Sequence, residues 1–254
     1  MLDQLLNDIN LYHLTIICAA LLCGAIVKGV SSFGLPTIAM PIMILVLPLP
    51  SAVSVLVVPL ILSNLVQMSI AGDIKRSIKR HWNLYLPTLL SLPVGVYFLT
   101  SADTHLLTLV VGGVLTFVSL LELAGIQLKV LSRHETVFAP AIGIVSGIIG
   151  GMTTLFAIMP IFFLITLGLT KERFVSAVSV LLFSGSVVLA ISLQRTAALG
   201  SLELVYGLIG MIPIYLGIKL GTHLRNYVNP DHFKKGVLSL LFLIGCSMII
   251  RALV

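Results

Sequence analysis

The chain has few charged residues. Only 9% of its 254 residues are Asp, Glu, Lys or Arg, whereas a soluble domain carries about 25%. Hydrophobic residues make up 58%, and the mean hydropathy is +1.16. Because so few groups can interact with water, the composition excludes a cytosolic enzyme, a disordered chain and a nucleic-acid-binding domain. It predicts an integral membrane protein whose main partner is the lipid bilayer.

Cysteine is also scarce. Cys18, Cys23 and Cys246 lie inside apolar segments, and neither they nor the six histidines show the spacing of a metal site. We therefore expect the cysteines to have packing roles, and we expect no metal or other cofactor. Strands of alternating polarity are missing as well, which excludes a transmembrane β-barrel. The first residues lack the basic region and cleavage site of a signal peptide.

The apolar residues fall into ten stretches separated by polar turns. A transmembrane helix needs about 20 such residues, and four of the stretches are too short to be certain of spanning. The stretches cover residues 11–30, 36–49, 52–71, 84–100, 106–121, 137–149, 154–167, 174–193, 202–220 and 237–254. This pattern predicts an all-α polytopic integral membrane protein.

The two halves of the chain share an order of short motifs. Glycine-rich, hydroxyl-bearing junctions occupy residues 28–36 and 146–154, and each is followed by Met-Pro-Ile and then by Ala-Val-Ser-Val-Leu. This order predicts an internal repeat. Each repeat would contain a short broken or re-entrant helical pair plus three transmembrane helices. We assign residues 1–123 and 137–254 to the repeats and 124–136 to a cytoplasmic linker, within one membrane domain.

Positive charge predicts the orientation, since basic loops face the cytoplasm. The segment 72–81 is basic, whereas its counterpart near Arg195 is nearly neutral; 101–105 lacks Lys and Arg, whereas its counterpart 222–235 is basic. Equivalent elements would therefore point in opposite directions, which predicts inverted repeats with both termini outside. Interrupted hydrophobic segments at matching places are typical of secondary transporters and point to their binding sites.

The junctions and the segments after them resemble a known family. In the first half the resemblance rests on Gly24, Lys28-Gly29, Ser32-Phe33-Gly34 and Met40-Pro41. In the second half it rests on Gly143, Gly147, Gly150-Gly151 and Met159-Pro160. These residues resemble the TauE/SafE family of sulfite exporters and related anion permeases, over nearly the whole chain. The second half departs from the fuller Gly-Phe-Gly pattern, having Gly150-Gly151-Met152-Thr153.

The resemblance implies a multi-pass permease of the bacterial inner membrane. The charge pattern places both termini on the periplasmic side, and we expect no enzymatic activity because no histidine or lysine of the second half lies at a membrane depth suited to a general base. The substrate of the permease would be a small anion, sulfite or an organosulfonate or another sulfur oxyanion, exported by alternating access. Uptake, or transport of another small solute, is the alternative, and an intramembrane enzyme is a weaker one. The resemblance implies no nucleic-acid partner, and a homo-oligomer is left open.

Elementary electrostatics also favours an anion. A helix that restarts within a membrane exposes N–H groups carrying roughly half a positive charge, and the restarts are expected near residues 34–37 and 153–156. We expect the anion at these two breaks, near the midplane. The predicted substrate-binding residues are Lys28, Ser31, Ser32, Phe33, Gly34, Thr37, Gly150, Gly151, Thr153 and Thr154, with Ser54 and Ser179 as weaker candidates.

Other interpretations of these residues stay open. The glycines and serines of both junctions are also the residues that let membrane helices pack closely. Lys28 is the one basic residue well inside an apolar stretch, and it either attracts the anion or extends its side chain to a nearby interface.

None of the nine carboxylates lies in the middle of a stretch, which disfavours a cation pump. A monovalent anion gains about 2.3 kcal/mol per 100 mV on leaving an inside-negative cell.

Overall fold

A computed structural model describes residues 10–31, 34–124, 134–225, 227 and 230–253, and this part of the chain is helical without strands. The helices are α1 (Leu11–Ser31), α2 (Leu35–Met43), α3 (Leu49–Ile70), α4 (Ile74–Ser101), α5 (Thr104–Leu123), α6 (Glu135–Thr153), α7 (Ile158–Thr166), α8 (Lys171–Arg195), α9 (Ser201–Ile209), α10 (Met211–Leu224) and α11 (Pro230–Leu253). Within the described residues, six apolar segments are long enough to cross a membrane: α1, α3, α4, α6, α8 and the α9–α10 segment Ser201–Leu224. The predicted all-α polytopic class is confirmed.

Each half contains one short helix after a break. α2 and α7 have nine residues each, about 14 Å at 1.5 Å per residue, which is less than half of the hydrocarbon thickness. The helices before them are longer, with 21 residues in α1 and 19 in α6. α6 thus exceeds its predicted apolar stretch, because it begins at Glu135 and continues helically through Gly150 and Gly151. The linker prediction falls mostly on residues 125–133, which lie outside the described residues.

The basic segment 72–81 is helical rather than the predicted loop. α4 begins at Ile74, and only His81 has non-helical angles within it, φ −114° and ψ 20°. Lys75, Arg76 and Lys79 are exposed while Ser77 is buried, so the turns before the kink are amphipathic. Charge alone was a poor guide here, since Lys and Arg are good helix formers. His81 itself is 5% exposed and lies within this helix, so it is not a loop residue.

The described residues form two compact units that each combine segments from both halves of the chain. Unit 1 draws on Met1–Pro59, Ala102–Gly125 and Ala198–Val254, and unit 2 on Leu60–Ser101 and Ile126–Ala197. In unit 1, α1 packs against α2 and α10, and α5 packs against α11. In unit 2, α4 packs against α6 and α8, and α7 packs against α6 and α8. The predicted division into repeats stays a prediction, because compact units follow helix contacts and not chain order.

In each unit, two helices approach each other closely at glycine residues. In unit 1 a Cβ on Gly29 of α1 would lie 2.9 Å from the Cα of Gly221 in α10. In unit 2 a Cβ on Gly95 of α4 would lie 2.9 Å from the Cα of Gly151 in α6. In both units small residues bring helix backbones together, as in other membrane bundles. The internal repeat and the inversion of the halves stay predictions.

Candidate functional site

The first break lies in unit 1, between α1 and α2. α2 begins after Gly34, whose φ of +99° puts it in the left-handed region, and Pro36 occupies the first turn of α2, where no N–H is needed. No side chain among the described residues caps this helix start. Ser32 and Phe33, which are predicted to bind substrate, lie outside the described residues. The restart matches the predicted position.

The hydroxyl groups at this break are bonded to the backbone. The Ser31 hydroxyl donates to the Val27 carbonyl at 2.8 Å, and the Thr37 hydroxyl donates to the Gly34 carbonyl at 2.5 Å. Each hydroxyl would have to release its carbonyl before it could donate to an anion. The donors that a helix start supplies without such an exchange are its first backbone N–H groups.

Lys28 lies in the last turn of α1 and is 6% exposed. A lysine that extends along the outer surface to an interface would remain exposed, so this burial disfavours the snorkelling alternative. A positive charge near the carboxyl end of a helix is also stabilised by the helix dipole. Lys28 therefore places a buried ammonium one turn before the first break.

The second break lies in unit 2, between α6 and α7, and is closed by side chains. α7 begins at Ile158, two residues after the end of the predicted 153–156 range. Thr154 has a left-handed φ of +64°, and its N–H donates to the Gly150 carbonyl at 2.7 Å. The Leu155 N–H donates to the Thr153 hydroxyl at 3.2 Å, and the Thr153 hydroxyl donates to Ile149 at 2.8 Å. Thr153 thus stabilises the end of α6.

Ser146 was not among the predicted site residues, yet it spans the second break. Its hydroxyl, buried in α6, donates to the carbonyl of Phe156 at 2.5 Å. Seven residues separate Ser146 from Thr153, so the two lie on one face of α6. This spacing is the sequence signal that could have identified Ser146 as a partner of the break.

Gly150 and Gly151 lie inside α6 and permit close packing. A Cβ on Gly150 would meet Phe156, and one on Gly151 would lie 2.7 Å from the amide nitrogen of Val96 in α4. Phe156 is 1% exposed, and a Cβ on Gly185 of α8 would meet its ring. The geometry gives both predicted glycines a packing role, and their contact with substrate stays a prediction.

The two weaker candidates differ although they occupy equivalent motif positions. Both Ser54 and Ser179 are 0% exposed. In unit 1 the Ser54 hydroxyl donates to the Ala198 carbonyl at 2.8 Å. In unit 2 the Ser179 hydroxyl has no hydrogen-bond partner within the described chain. A buried polar group without a partner is uncommon and requires an explanation.

Asn64 connects two helices through its side chain. Its side-chain amide donates to the Ser186 hydroxyl at 3.0 Å and to the Leu182 carbonyl at 3.3 Å. These bonds join α3 to α8 inside unit 2, as polar side chains often do in membrane bundles. In the described ranges no group of three or more His, Cys, Asp or Glu residues could hold a metal ion.

The first break suits an anion better than a cation. The polar groups that the first break offers are uncapped N–H groups and a lysine ammonium, all of which donate hydrogen bonds. A small oxyanion has only acceptors, and it would find donors there and no competing carboxylate on the same turns. The breaks thus have the chemistry expected of an oxyanion contact, which the sequence predicted from the glycine-rich junctions.

The family comparison agrees with this chemistry. The model of the family described as "Sulfite exporter TauE/SafE" matches residues 16–248, which include both breaks. Neither a curated protein nor a solved structure matches the chain. Because the match covers nearly the whole chain, the protein belongs to the TauE/SafE family of sulfite exporters and is a multi-pass membrane transporter of sulfite or related sulfur anions.

Proposed function

We propose that the protein exports sulfite or a small organosulfonate across the bacterial inner membrane by alternating access, with the anion held at the first helix break. The observation that carries this proposal is the combination, in unit 1, of an uncapped start of α2 with the buried ammonium of Lys28. Both features lower the energy of a negative charge, and neither suits a cation. The second break offers backbone amides at the start of α7, and we propose a further anion contact there.

The low charge of the chain supports transport without a cation pump. A carboxylate deep in the membrane would be needed to relay protons or bind sodium by the mechanisms common in pumps. The carboxylates whose positions the structure describes lie in turns or near helix ends, as Asp103 and Glu203 do. Export of a monovalent anion is already favoured by the inside-negative potential, at about 2.3 kcal/mol per 100 mV. We therefore propose export without a coupled ion.

Flux through the purified protein in liposomes tests this proposal. Vesicles are loaded with sulfite, with a C2 sulfonate or with thiosulfate, and release is followed while a potassium gradient with valinomycin sets the potential. We expect release of at least one sulfur anion, faster when the loaded side is negative. Equal release of a neutral sugar would indicate a leak, and retention of all three anions by folded protein would contradict the proposal.

Orientation needs a separate experiment. The proposal places both termini and Ser51 on the periplasmic side, from the distribution of Lys and Arg in the loops. Cysteine at Ser51 in a background without the three native cysteines should react with an impermeant maleimide from outside intact cells. Cysteine at Lys75 should react only after the cells are opened. The reverse labelling pattern would overturn the proposed orientation.

A further inference from the structure

The outer face of α10 carries a groove lined by apolar and basic side chains. The groove has a volume of about 570 Å³ and is lined by Leu216, Lys219, Leu220, Thr222 and His223. Leu216 and Leu220 are exposed by 54% and 46%, and Lys219 and His223 are exposed as well. Residues 216, 219, 220 and 223 follow i, i+3, i+4, i+7 spacing and therefore share one face of the helix. Leucine and basic side chains alternate along this face, which begins with Leu216 and ends with His223.

The carboxyl end of α10 has the features of a membrane interface. Tyr227 is 75% exposed, and its ring lies 5.2 Å from that of His223, measured between centroids. Tyrosine is enriched at the level of lipid headgroups, where its apolar ring and polar hydroxyl both find suitable surroundings. Arg225 adds a further exposed positive charge at this end. Toward the middle of the segment, Ile212 is 67% exposed, as expected of a side chain that faces acyl chains.

Lys219 is available for an external anion. In the part of the chain that the structure describes, the ion pairs are Arg76–Asp73 and Arg80–Glu135, and no carboxylate pairs with Lys219. The Thr222 hydroxyl donates to the Ile218 carbonyl at 2.8 Å, which leaves its oxygen as an acceptor. The groove thus combines an ammonium and an imidazole with two exposed leucines on one face of α10.

We infer that this groove binds one anionic phospholipid, with the phosphodiester at Lys219 and His223 and an acyl chain along Leu216 and Leu220. Charge complementarity identifies the occupant, because basic side chains next to exposed leucines match an anionic headgroup next to its acyl chain. Basic pockets between transmembrane helices bind such headgroups in other membrane proteins. This assignment does not depend on the proposed transport function.

Lipid-dependent stability tests the assignment. The purified full chain in detergent is titrated with phosphatidylglycerol, with phosphatidylcholine of the same acyl chains, or with glycerol phosphate. Bound lipid is counted by native mass spectrometry, and the unfolding temperature is measured in parallel. We expect one saturable phosphatidylglycerol and a rise in unfolding temperature. Equal binding and stabilisation by phosphatidylcholine would overturn the assignment, and so would equal stabilisation by glycerol phosphate.

Substitutions locate the lipid. Lys219→Gln should weaken phosphatidylglycerol binding roughly fivefold, since a basic residue near an anionic lipid surface contributes about that factor, whereas Lys219→Arg should retain most of it. The matched control is Lys171→Gln at the exposed start of α8, which removes the same charge elsewhere and should leave the affinity unchanged. An equal loss of affinity in Lys171→Gln would overturn the assignment, because it would mean that general charge attraction, and not this groove, holds the lipid. His223→Gln is a second variant, and normal affinity in both groove variants would also overturn the assignment.

Discussion

The two helix breaks differ in how their polar groups are used. In the second break, Ser146 bonds across the gap to Phe156, and Thr153 accepts the Leu155 amide. In the first break, the Ser31 and Thr37 hydroxyls donate to carbonyls within four residues of themselves, and Lys28 adds a buried basic side chain. The second break is therefore a cross-linked connection, whereas the first is the one at which we propose the principal anion contact.

This difference teaches that a repeated motif need not have a repeated role. Each break contains a residue with positive φ, Gly34 in one and Thr154 in the other. Glycine adopts this conformation at little cost, whereas a β-branched residue does so only when its surroundings hold it. The starts of α2 and α7 both lack a side-chain cap among the described residues. The difference is that side chains of unit 2 hold the chain before α7, through the Ser146 and Thr153 hydroxyls.

Loss of the Lys28 charge should have the largest effect. Lys28→Met is expected to weaken the apparent affinity for transported anion roughly tenfold to a hundredfold, because a hydrogen bond to a charged group contributes about 1.5–3 kcal/mol. Lys28→Arg should retain part of it. The measurement is the concentration dependence of flux in liposomes, with exposed Lys171→Met as the matched control. Unchanged affinity in well-folded Lys28→Met would mean that Lys28 interacts only with the dipole of α1 and does not bind the anion.

The next prediction compares the two left-handed residues. Gly34→Ala should lower the free energy of unfolding by about 1–2 kcal/mol, the usual cost of a left-handed L-residue, and the new Cβ would lie 3.2 Å from both Val27 Cγ1 and Thr37 Oγ1. Thr154→Gly should change it by less than about 1 kcal/mol, since relief of strain offsets the lost hydroxyl bond to Thr153. Denaturation in detergent measures the free energy of unfolding of both variants. Equal losses of stability would contradict the proposed difference between Gly34 and Thr154.

If the second break has a structural role, replacement of Ser146 should lower stability, by less than Gly34→Ala does. Ser146→Ala should lower the free energy of unfolding by about 1 kcal/mol, the net value of a buried hydrogen bond, and leave anion affinity within about twofold. Ser184→Ala is the matched control, because the Ser184 hydroxyl bonds only carbonyls of its own helix, the nearer at 2.6 Å. A large loss of affinity in Ser146→Ala would instead make the second break a principal anion contact.

The helical class could be predicted from the sequence, but the exact breaks could not. Apolar length identified most spans, because the thickness of the membrane fixes how many residues a helix needs. Gly34 was correctly placed at a restart, since Pro36 follows it closely. Gly150 and Gly151 were assigned to a break but continue α6, where a Cβ on Gly150 would meet Phe156 and a Cβ on Gly151 would meet the backbone of α4. The approach of α4 involves residues more than fifty positions away and has no local signal.

Charge was a poor guide to local structure, and the orientation that it indicates stays a prediction. The basic residues of 72–81 suggested a loop, yet α4 begins at Ile74 and bends only at His81. The burial of Lys28 was equally out of reach, because its sequence neighbours fit both an exposed and a buried side chain. What decides between them is the packing of α1 against α2 and α10 in unit 1. Tertiary packing, and not local helix propensity, thus determined which of the predicted site residues are buried.

The smallest expected effects distinguish the equivalent serines Ser54 and Ser179. Ser54→Ala should lower the free energy of unfolding by about 1 kcal/mol because it removes the bond to Ala198. Ser179→Ala should leave it unchanged or raise it slightly, because it removes a buried hydroxyl without a partner in the described chain. We expect it also to weaken anion affinity about threefold, since a donor without a protein acceptor can serve the substrate. Parallel measurements of unfolding and flux decide the matter: equal destabilisation with unchanged flux would give both serines the same packing role.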